Sequence, residues 1–587
     1  MRIFLDLAWF FRQEWHRYLL GISILAGVAV LNLIPPRIVG GLVDDISHQR
    51  IRGSILLRDL ALLLAIAVVV YALRQMWRRM LYGSAARLAR LLRDRLYLHY
   101  SQLSPRFYQQ HRVGDLMAHA SNDIQAIEQT AGDGILTLAD SITTGALVVG
   151  TMAFTISWKL TLVVLIPMPL MAWATSRYGL LLHDRFLLAQ AAFSDLNGKV
   201  QENISGVRVI KAFGQEAAER RAFAELSEEV VARNVAVARI DALFDPTIQL
   251  IVGLSYFLAV AIGAVLVVRG DLTIGGLTAF TMYLGQLIWP MLAFGFLINI
   301  VERGRASYDR VRRLLEEPVD IRDHPGAVDT PPVGDLDVRI ERFTYPGAAT
   351  PALSDVRFHL PRGATLGVVG RTGSGKTTLL RLLLREFDVE AGDIAIGERS
   401  IHQVTLRALR RSIAYVPQDH FLFSATIAEN IAFARPQAGR DEIVAAAQMA
   451  DVDADIRRFP GGYDTLVGER GVTLSGGQKQ RISIARALLM DAEILVLDDA
   501  LSAVDARTEA RILAALRENR AGRTTVIAAH RLSAVQHADL IVVLDGGRIR
   551  EMGRHEDLLA AGGWYAQTYA HQQLEALVEE GGHPWRA

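Results

Sequence analysis

Six apolar segments crowd the first 300 residues of this 587-residue chain, and they restrict where that half can fold. They are Tyr18–Ile34, Leu60–Leu73, Gly134–Trp158, Leu160–Trp173, Ile248–Val268 and Leu277–Ile300. A membrane-spanning helix needs roughly 20 apolar residues, because the backbone must satisfy its own hydrogen bonds across the hydrocarbon core. The first segment is marginal in length. The second and fourth are short, so their helices must begin or end in polar sequence. An even number of spans puts both termini on one side. Arg74, Arg78, Arg79, Arg87, Arg90, Arg93 and Arg95 crowd the segment after the second span, whereas Lys159 stands nearly alone between the third and fourth. That bias marks the cytoplasmic side, although Arg50, Arg52 and Arg58 in the first outer loop run against it.

The connections between spans two and three, and between four and five, are long and rich in Ala, Leu, Arg, Glu and Gln at helical spacing. They predict antiparallel hairpins that carry the spans into the cytoplasm. Their tips are expected at 114–123 and 206–213. Polar or aromatic groups inside the spans, namely Asp140, Gln249, Tyr283, Gln286, Trp289 and Asn299, are candidates for a cargo cavity.

Residues 323–334 contain three prolines and two glycines, which forbid a continuous helix and mark a linker. The expected division is a membrane domain with cytoplasmic hairpins over 1–322, the linker, a nucleotide-binding domain over 335–570, and a tail over 571–587. The second half alternates short Val/Ile/Leu strands with amphipathic helices. The predicted fold class is therefore an all-α transmembrane domain of six long helices followed by an α/β P-loop NTPase domain. Although 51% of the whole chain is hydrophobic, its net charge is only +1, so nothing argues for nucleic acid as a partner. There are no cysteines, which excludes disulfides and thiolate metal sites. The N-terminus lacks a cleavable signal pattern.

The chemistry begins at Gly370-Arg-Thr-Gly-Ser-Gly-Lys-Thr-Thr378, after an apolar strand and before a helix. In such a P-loop the glycines let backbone N–H groups wrap the phosphates of a nucleotide. Gly370, Thr372, Gly373, Ser374, Gly375 and Thr378 would form the wrap, Lys376 would reach the β/γ-phosphates, and Thr377 would ligate Mg²⁺. Ile494-Leu-Val-Leu-Asp498 is an apolar strand ending in a carboxylate placed to serve the same ion. Tyr345 offers an aromatic face for adenine. Leu474-Ser-Gly-Gly-Gln478 feeds a helix N-terminus, an anion site with no phosphate of its own chain left to bind. Ser475 and Gly477 are therefore expected to meet the γ-phosphate of a nucleotide held by another copy or partner.

These motifs, with Gln418 in Tyr415-Val-Pro-Gln, Ser502-Ala-Val-Asp505 and His530, occur in the order found in ATP-binding-cassette (ABC) transporters. The six-span half resembles their exporter class. Phe244-Asp-Pro-Thr247, Ile288-Trp-Pro-Met-Leu292 and Val301-Glu-Arg-Gly304 resemble the Mdl-type multidrug half-transporters. The resemblance covers the chain to about residue 570. It implies ATP and Mg²⁺ as cofactors, with Thr377, Gln418 and Asp498 at the metal. It implies that Gln418 links the site to the membrane helices and that Gln478 belongs to the signature. Asp505 would communicate across a dimer, and His530 would touch the γ-phosphate and the attacking water. Gly468-Glu-Arg-Gly471 matches the segment that meets the hairpins in exporters. Membrane lipid, small-molecule cargo and a second half-transporter are the implied partners.

One position departs from the pattern. Where the family has Asp-Glu after this strand, the chain has Asp498-Asp499. Asp is one methylene shorter, about 1.5 Å. Misplacing a catalytic group by about 1 Å costs on the order of 10²-fold. Slow hydrolysis is expected at this chain's own site. Two readings follow: one half of a heterodimer whose partner carries the Glu, or a self-sufficient homodimer in which Asp499 works. An ATP-gated channel or regulator is a third class, and flux that persists without hydrolysis would favour it.

Overall fold

The computed structural model describes residues 2–50, 52–468 and 474–579. The chain forms two compact units. One takes in residues up to Ser101 and His111–Glu317, and the other takes in Gln102–Gln110 and everything from Pro318 onward.

The first unit is helical. Among the described residues, five helical stretches are long and apolar enough to cross a membrane: Trp15–Ser47, Gly53–Gln102, Val113–Leu165, Glu216–Val268 and Ile274–Leu315. The fourth expected span does not stand as one such helix. It is divided at Ile166 into Trp158–Leu165 and Pro167–Ser205. Pro167 and Pro169 explain the break, since proline has no N–H to continue the ladder.

The first stretch is also interrupted, at Leu33, ahead of Pro35 and Pro36. Pro36 cannot donate to the Asn32 carbonyl one turn back. Gln286 Nε2 fills that vacancy at 3.1 Å, and the Tyr283 hydroxyl donates to the neighbouring Leu33 carbonyl. Two of the six cavity candidates thus serve the backbone of a helix break. Gln249 and Asn299 are exposed, as is Trp289, and Asp140 accepts from Thr144 Oγ1 at 3.2 Å.

Close packing of small residues joins the helices laterally. A Cβ on Gly275 would sit 1.9 Å from the Gly40 carbonyl oxygen and 2.6 Å from the Asp44 carboxylate, so only glycine fits. Asp44 also accepts the Gly275 N–H at 2.7 Å, satisfying a donor in the first turn of its helix. Farther along the same helix, Ser307 (2.8 Å) and Arg310 (Nε, 3.0 Å) converge on the buried Asp123, which His119 Nδ1 meets at 2.6 Å. A buried carboxylate surrounded in this way is held by charge-assisted bonds.

The expected hairpin tip at 114–123 is helical and stays with the membrane unit, while the segment that groups with the cassette is the preceding Gln102–Gln110. The tip at 206–213 is a short helix, Val207–Ala212, between Pro167–Ser205 and Glu216–Val268. It leaves Val209 and Phe213 exposed.

The second unit is α/β. Its main sheet runs, edge to edge, Arg548–Gly553, Leu540–Asp545, Thr365–Gly370, Thr524–Ala528, Ile494–Asp498 and Ile413–Val416. All its pairings are parallel except the one made by the Arg548–Gly553 edge. The inner strands are apolar on both faces and fully buried, as parallel strands covered by helices must be. A smaller antiparallel sheet orders Leu353–Leu360, Leu336–Phe343, Ala391–Ile396 and Arg399–Ser400. Residues 323–334, expected to be a linker, fall within this unit. Asp323 accepts the Leu406 N–H at 2.7 Å, and Asp329 accepts Thr405 Oγ1 at 2.6 Å. Gly468-Glu-Arg-Gly471, expected to meet the hairpins, lies outside the described residues apart from Gly468.

Candidate nucleotide site

Strand Thr365–Gly370 ends at the loop, and helix Lys376–Leu383 leaves it. Between them Gly370, Gly373 and Gly375 have φ of 149°, 80° and 105°. A Cβ on Gly370 would lie 2.2 Å from the Leu544 carbonyl oxygen, so this turn needs glycine for space as well as for conformation. Lys376 is 7% exposed, and its Nζ donates to the Gly370 carbonyl at 2.9 Å and the Arg371 carbonyl at 3.2 Å. Those bonds fold the ammonium back over the loop. Burial holds its pKa below the ordinary lysine range, against the opposing pull of Asp499 and Asp498. Ser374 Oγ is buried with no hydrogen-bond partner. A buried amine short of counter-charge, an orphaned hydroxyl and a glycine cradle all suit a polyphosphate.

Thr377 opens the helix beside Lys376, and its hydroxyl donates to Asp498 Oδ1 at 3.1 Å. The Tyr415 hydroxyl donates to Asp498 Oδ2 at 3.3 Å. Asp498 is 2% exposed, and burial raises its pKa although both hydroxyls oppose the shift. The pair Thr377–Asp498 fits a Mg²⁺ held by few protein groups, since that ion keeps several waters and takes the rest of its shell from phosphate. Among the described residues no cluster of three His, Asp or Glu forms a metal cage. Gln418 lies on the exposed bend after strand Ile413–Val416. His420, two residues on, is depressed by burial, and its Nδ1 has no partner.

Asp499 sits at φ +50°, a left-handed conformation that Asp tolerates better than most residues. Its backbone is tied on two sides. The N–H donates to the Ala528 carbonyl at 2.9 Å, and its carbonyl accepts from Ser502 Oγ at 2.9 Å and Gln480 Nε2 at 3.3 Å. Gln480, fully buried, also accepts the Ala503 N–H at 3.0 Å. It therefore joins the helix after the signature to both ends of the turn that carries Asp499.

Tyr345 is steadied by edge-on contacts with Phe343 and Phe387, at 5.1 and 5.2 Å between ring centres. Its hydroxyl donates to Thr378 Oγ1 at 3.1 Å, which ties the aromatic candidate to the phosphate-loop helix. Ser475 caps helix Gly476–Leu489 in a reciprocal box with Gln478, its hydroxyl accepting the Gln478 N–H at 3.3 Å. A Cβ on Gly477 would come 3.0 Å from the Ala503 carbonyl oxygen. Asp505 caps helix Ala506–Asn519 through the Thr508 N–H at 2.9 Å, a backbone bond that lowers its pKa.

His530 is exposed just after strand Thr524–Ala528, and the backbone around it is clamped. Gln572, from helix Trp564–Glu579, donates to the His530 carbonyl and accepts the Leu532 N–H, both at 2.9 Å. Sequence reading missed Gln480, Tyr415 and Gln572. Tyr415 and Gln480 stand inside quoted motifs or beside them, but Gln572 lies 42 residues from its partner with no motif around it.

Thr377, Tyr415, Asp498 and Lys376 thus converge, Tyr345 is linked to them through Thr378, and Asp499 and His530 stand at the ends of neighbouring parallel strands. Comparison with known proteins agrees with this assembly. Residues 18–291 match the family model of the ABC transporter transmembrane region, and residues 353–502 match the ABC transporter family model. The chain is 50% identical over 581 residues to the multidrug resistance-like ATP-binding protein MdlA of Escherichia coli (strain K12), covering 99% of this chain and 98% of that protein. It is 47% identical to the probable multidrug resistance ABC transporter ATP-binding/permease protein YheI of Bacillus subtilis (strain 168), with 98% of each covered. Among solved structures, a bacterial Atm1-family ABC exporter with ATP bound superposes with a TM-score of 0.78 at 28% identity, covering 96% of this chain and 98% of that one. The chain belongs to the ABC transporters, as an exporter-type half-transporter of the multidrug-resistance-like group with its ATPase fused to its membrane part.

Proposed function

We propose that this chain exports hydrophobic or amphipathic compounds across the cytoplasmic membrane as one half of a heterodimer, in which it holds the slower of two nucleotide sites. One observation carries the reading: Asp499 stands where the family pattern has Glu. The backbone of Asp499 is bonded to Ala528, Ser502 and Gln480, so the main chain is restrained from advancing to make up the missing methylene. The signature residues Ser475, Gly477 and Gln478 are intact. They suit the completion of a fast site on a partner that carries the Glu.

The family resemblance, together with the chemistry of the loop, implies the residue roles. Gly370, Thr372, Gly373, Ser374, Gly375 and Thr378 wrap the phosphates, Lys376 offsets the γ-phosphate charge, and Tyr345 supports the adenine. Thr377, Asp498 and Gln418 would hold Mg²⁺, which when bound would neutralise charge on the phosphates. Asp499 and His530 orient the attacking water, and Asp505 reports across the dimer. Closure of two cassettes on ATP moves the cytoplasmic hairpins, and the membrane cavity turns outward. The cassette and both termini lie in the cytoplasm, where ATP is available and where the arginines after the second span agree. The multidrug names of the relatives, with mixed aromatic and aliphatic spans, support drug- or lipid-like cargo.

The test is ATPase activity of the purified chain in lipid, alone and with a Glu-bearing half-transporter. A chain nearly silent alone and stimulated by the partner supports the heterodimer. An isolated homodimer that hydrolyses ATP as fast as its Asp499→Glu variant sinks it and establishes the self-sufficient homodimer.

A further inference from the structure

The phosphate loop lies at one end of the parallel strands, and a second concavity lies at the other. A cavity of about 280 Å³ opens beside the starts of strands Thr365–Gly370 and Thr524–Ala528 and the last turn of helix Ala506–Asn519. One wall is apolar, with Leu516 and Ile527. The opposite chemistry comes from Arg517, Arg520 and His537.

Among the described residues, neither arginine forms an ion pair with a carboxylate. Arg520 is 6% exposed; its Nη2 donates to the Ala492 carbonyl at 2.9 Å, yet its Nε is buried with no partner. Arg517 Nε makes one long bond, 3.4 Å, to the Leu513 carbonyl of its own helix, and among the described residues it has no ion pair. Burial, then Arg517 and His555, hold His537 below the ordinary histidine range, which disfavours its charged form, so the positive charge of the wall comes from the arginines. The other charged lining groups are engaged. Arg523 pairs with Asp491, and Asp539 accepts the Thr365 N–H at 2.8 Å. The exposed guanidinium of Arg517 is free to form a charge-assisted bond to an oxyanion in the cavity, with the buried charge of Arg520 beside it. The volume lies at the low end for ligand pockets, which suits one small molecule.

We propose that this cavity is a binding site for a small organic anion, an apolar body carrying one phosphate or carboxylate group, with Arg517 and Arg520 taking the anion and the Leu516–Ile527 wall taking the body. The site is separate from the phosphate loop and does not depend on which partner completes the dimer.

Phenyl phosphate is a suitable probe. Binding is measured by calorimetry on the full chain in lipid nanodiscs, with the nucleotide site saturated by Mg·ADP. Saturable binding is expected, about tenfold weaker in Arg517→Ala, as loss of one charge-assisted bond implies. Arg517→Lys restores part of the loss, and Lys376→Ala leaves the binding intact. Arg517 is exposed, so its replacement leaves the fold undisturbed, whereas Arg520 braces strand carbonyls and is left unchanged. Absence of saturable binding, or affinity unchanged in Arg517→Ala, overturns the proposal. Loss of binding in Lys376→Ala also overturns it, because the probe would then be reading the phosphate loop. Inorganic phosphate binding as tightly as phenyl phosphate would remove the apolar wall from the site.

Discussion

The cassette and the membrane unit use small residues and buried charge in opposite ways. In the cassette, glycine lets the phosphate loop turn at positive φ past its own neighbours, as at Gly370 beside the Leu544 carbonyl and Gly375 beside Leu353, and buried charge is left partly unanswered, as at Lys376 and Asp498. In the membrane unit, glycine makes room for another helix, as at Gly275 against Gly40, and the buried Asp123 is surrounded by His119, Ser307 and Arg310. The difference separates a site built to be completed from a scaffold already complete. The first accepts a destabilising charge that a bound nucleotide would relieve. In the second, the charge of Asp123 is answered by side chains of the unit itself.

Substitutions can break or sharpen that contrast. The largest effect is expected from Lys376→Ala, which should lower ATP turnover on the order of 10²–10³-fold by removing a preorganised cation from the phosphates. The nucleotide-free protein should melt no lower than wild type, because the lost ammonium was buried. A matched loss of thermal stability would show that Lys376 is structural. Next, Gly275→Val should cost about 1–3 kcal/mol of membrane-unit stability through overpacking against Gly40 and Asp44. Thermal unfolding in detergent reads it, and an unchanged midpoint would show that the helices part freely there.

Gln480→Ala should cost about 1–3 kcal/mol in the cassette, the penalty for leaving the Ala503 N–H unanswered, and should slow ATP hydrolysis with little change in nucleotide affinity. Gln572→Ala loses two exposed-edge bonds to the backbone flanking His530. A severalfold fall in kcat is expected, corresponding to about 0.5–1.5 kcal/mol per bond. Unchanged kcat would leave Gln572 a mere packing contact. The smallest effect is a gain. Burial raises the folded pKa of Asp498 above its unfolded value, so its carboxylate destabilises the empty protein once pH exceeds that range. Asp498→Asn should therefore raise the melting temperature of the nucleotide-free protein at neutral pH and lose that advantage in acid. Hydrolysis should be lost at both. An equal gain at every pH would assign the effect to packing.

Much of this site was legible before any coordinates. Gly370–Thr378 works through the backbone of consecutive residues, so its spacing carries its geometry, and Asp498 ends a strand whose apolar run announces it. The signature's Ser475 and Gln478 make a capping box readable from their separation. Less was legible among the helices. Tyr283 and Gln286 resemble cavity residues by type, yet they answer carbonyls at a proline break 250 and 254 residues away. The fourth span also read as continuous until Pro167 divided it.

By itself the sequence determined the membrane half, the P-loop domain, the order of the motifs and the missing methylene at Asp499, because each is written in contiguous residues. Tertiary structure alone decided what the turn around Asp499 leans on, what holds the backbone of His530, and which polar groups in the spans are already spent. Those outcomes depend on hydrogen bonds between segments distant in the chain. A donor buried on folding takes whichever acceptor the packing brings within 3 Å or so.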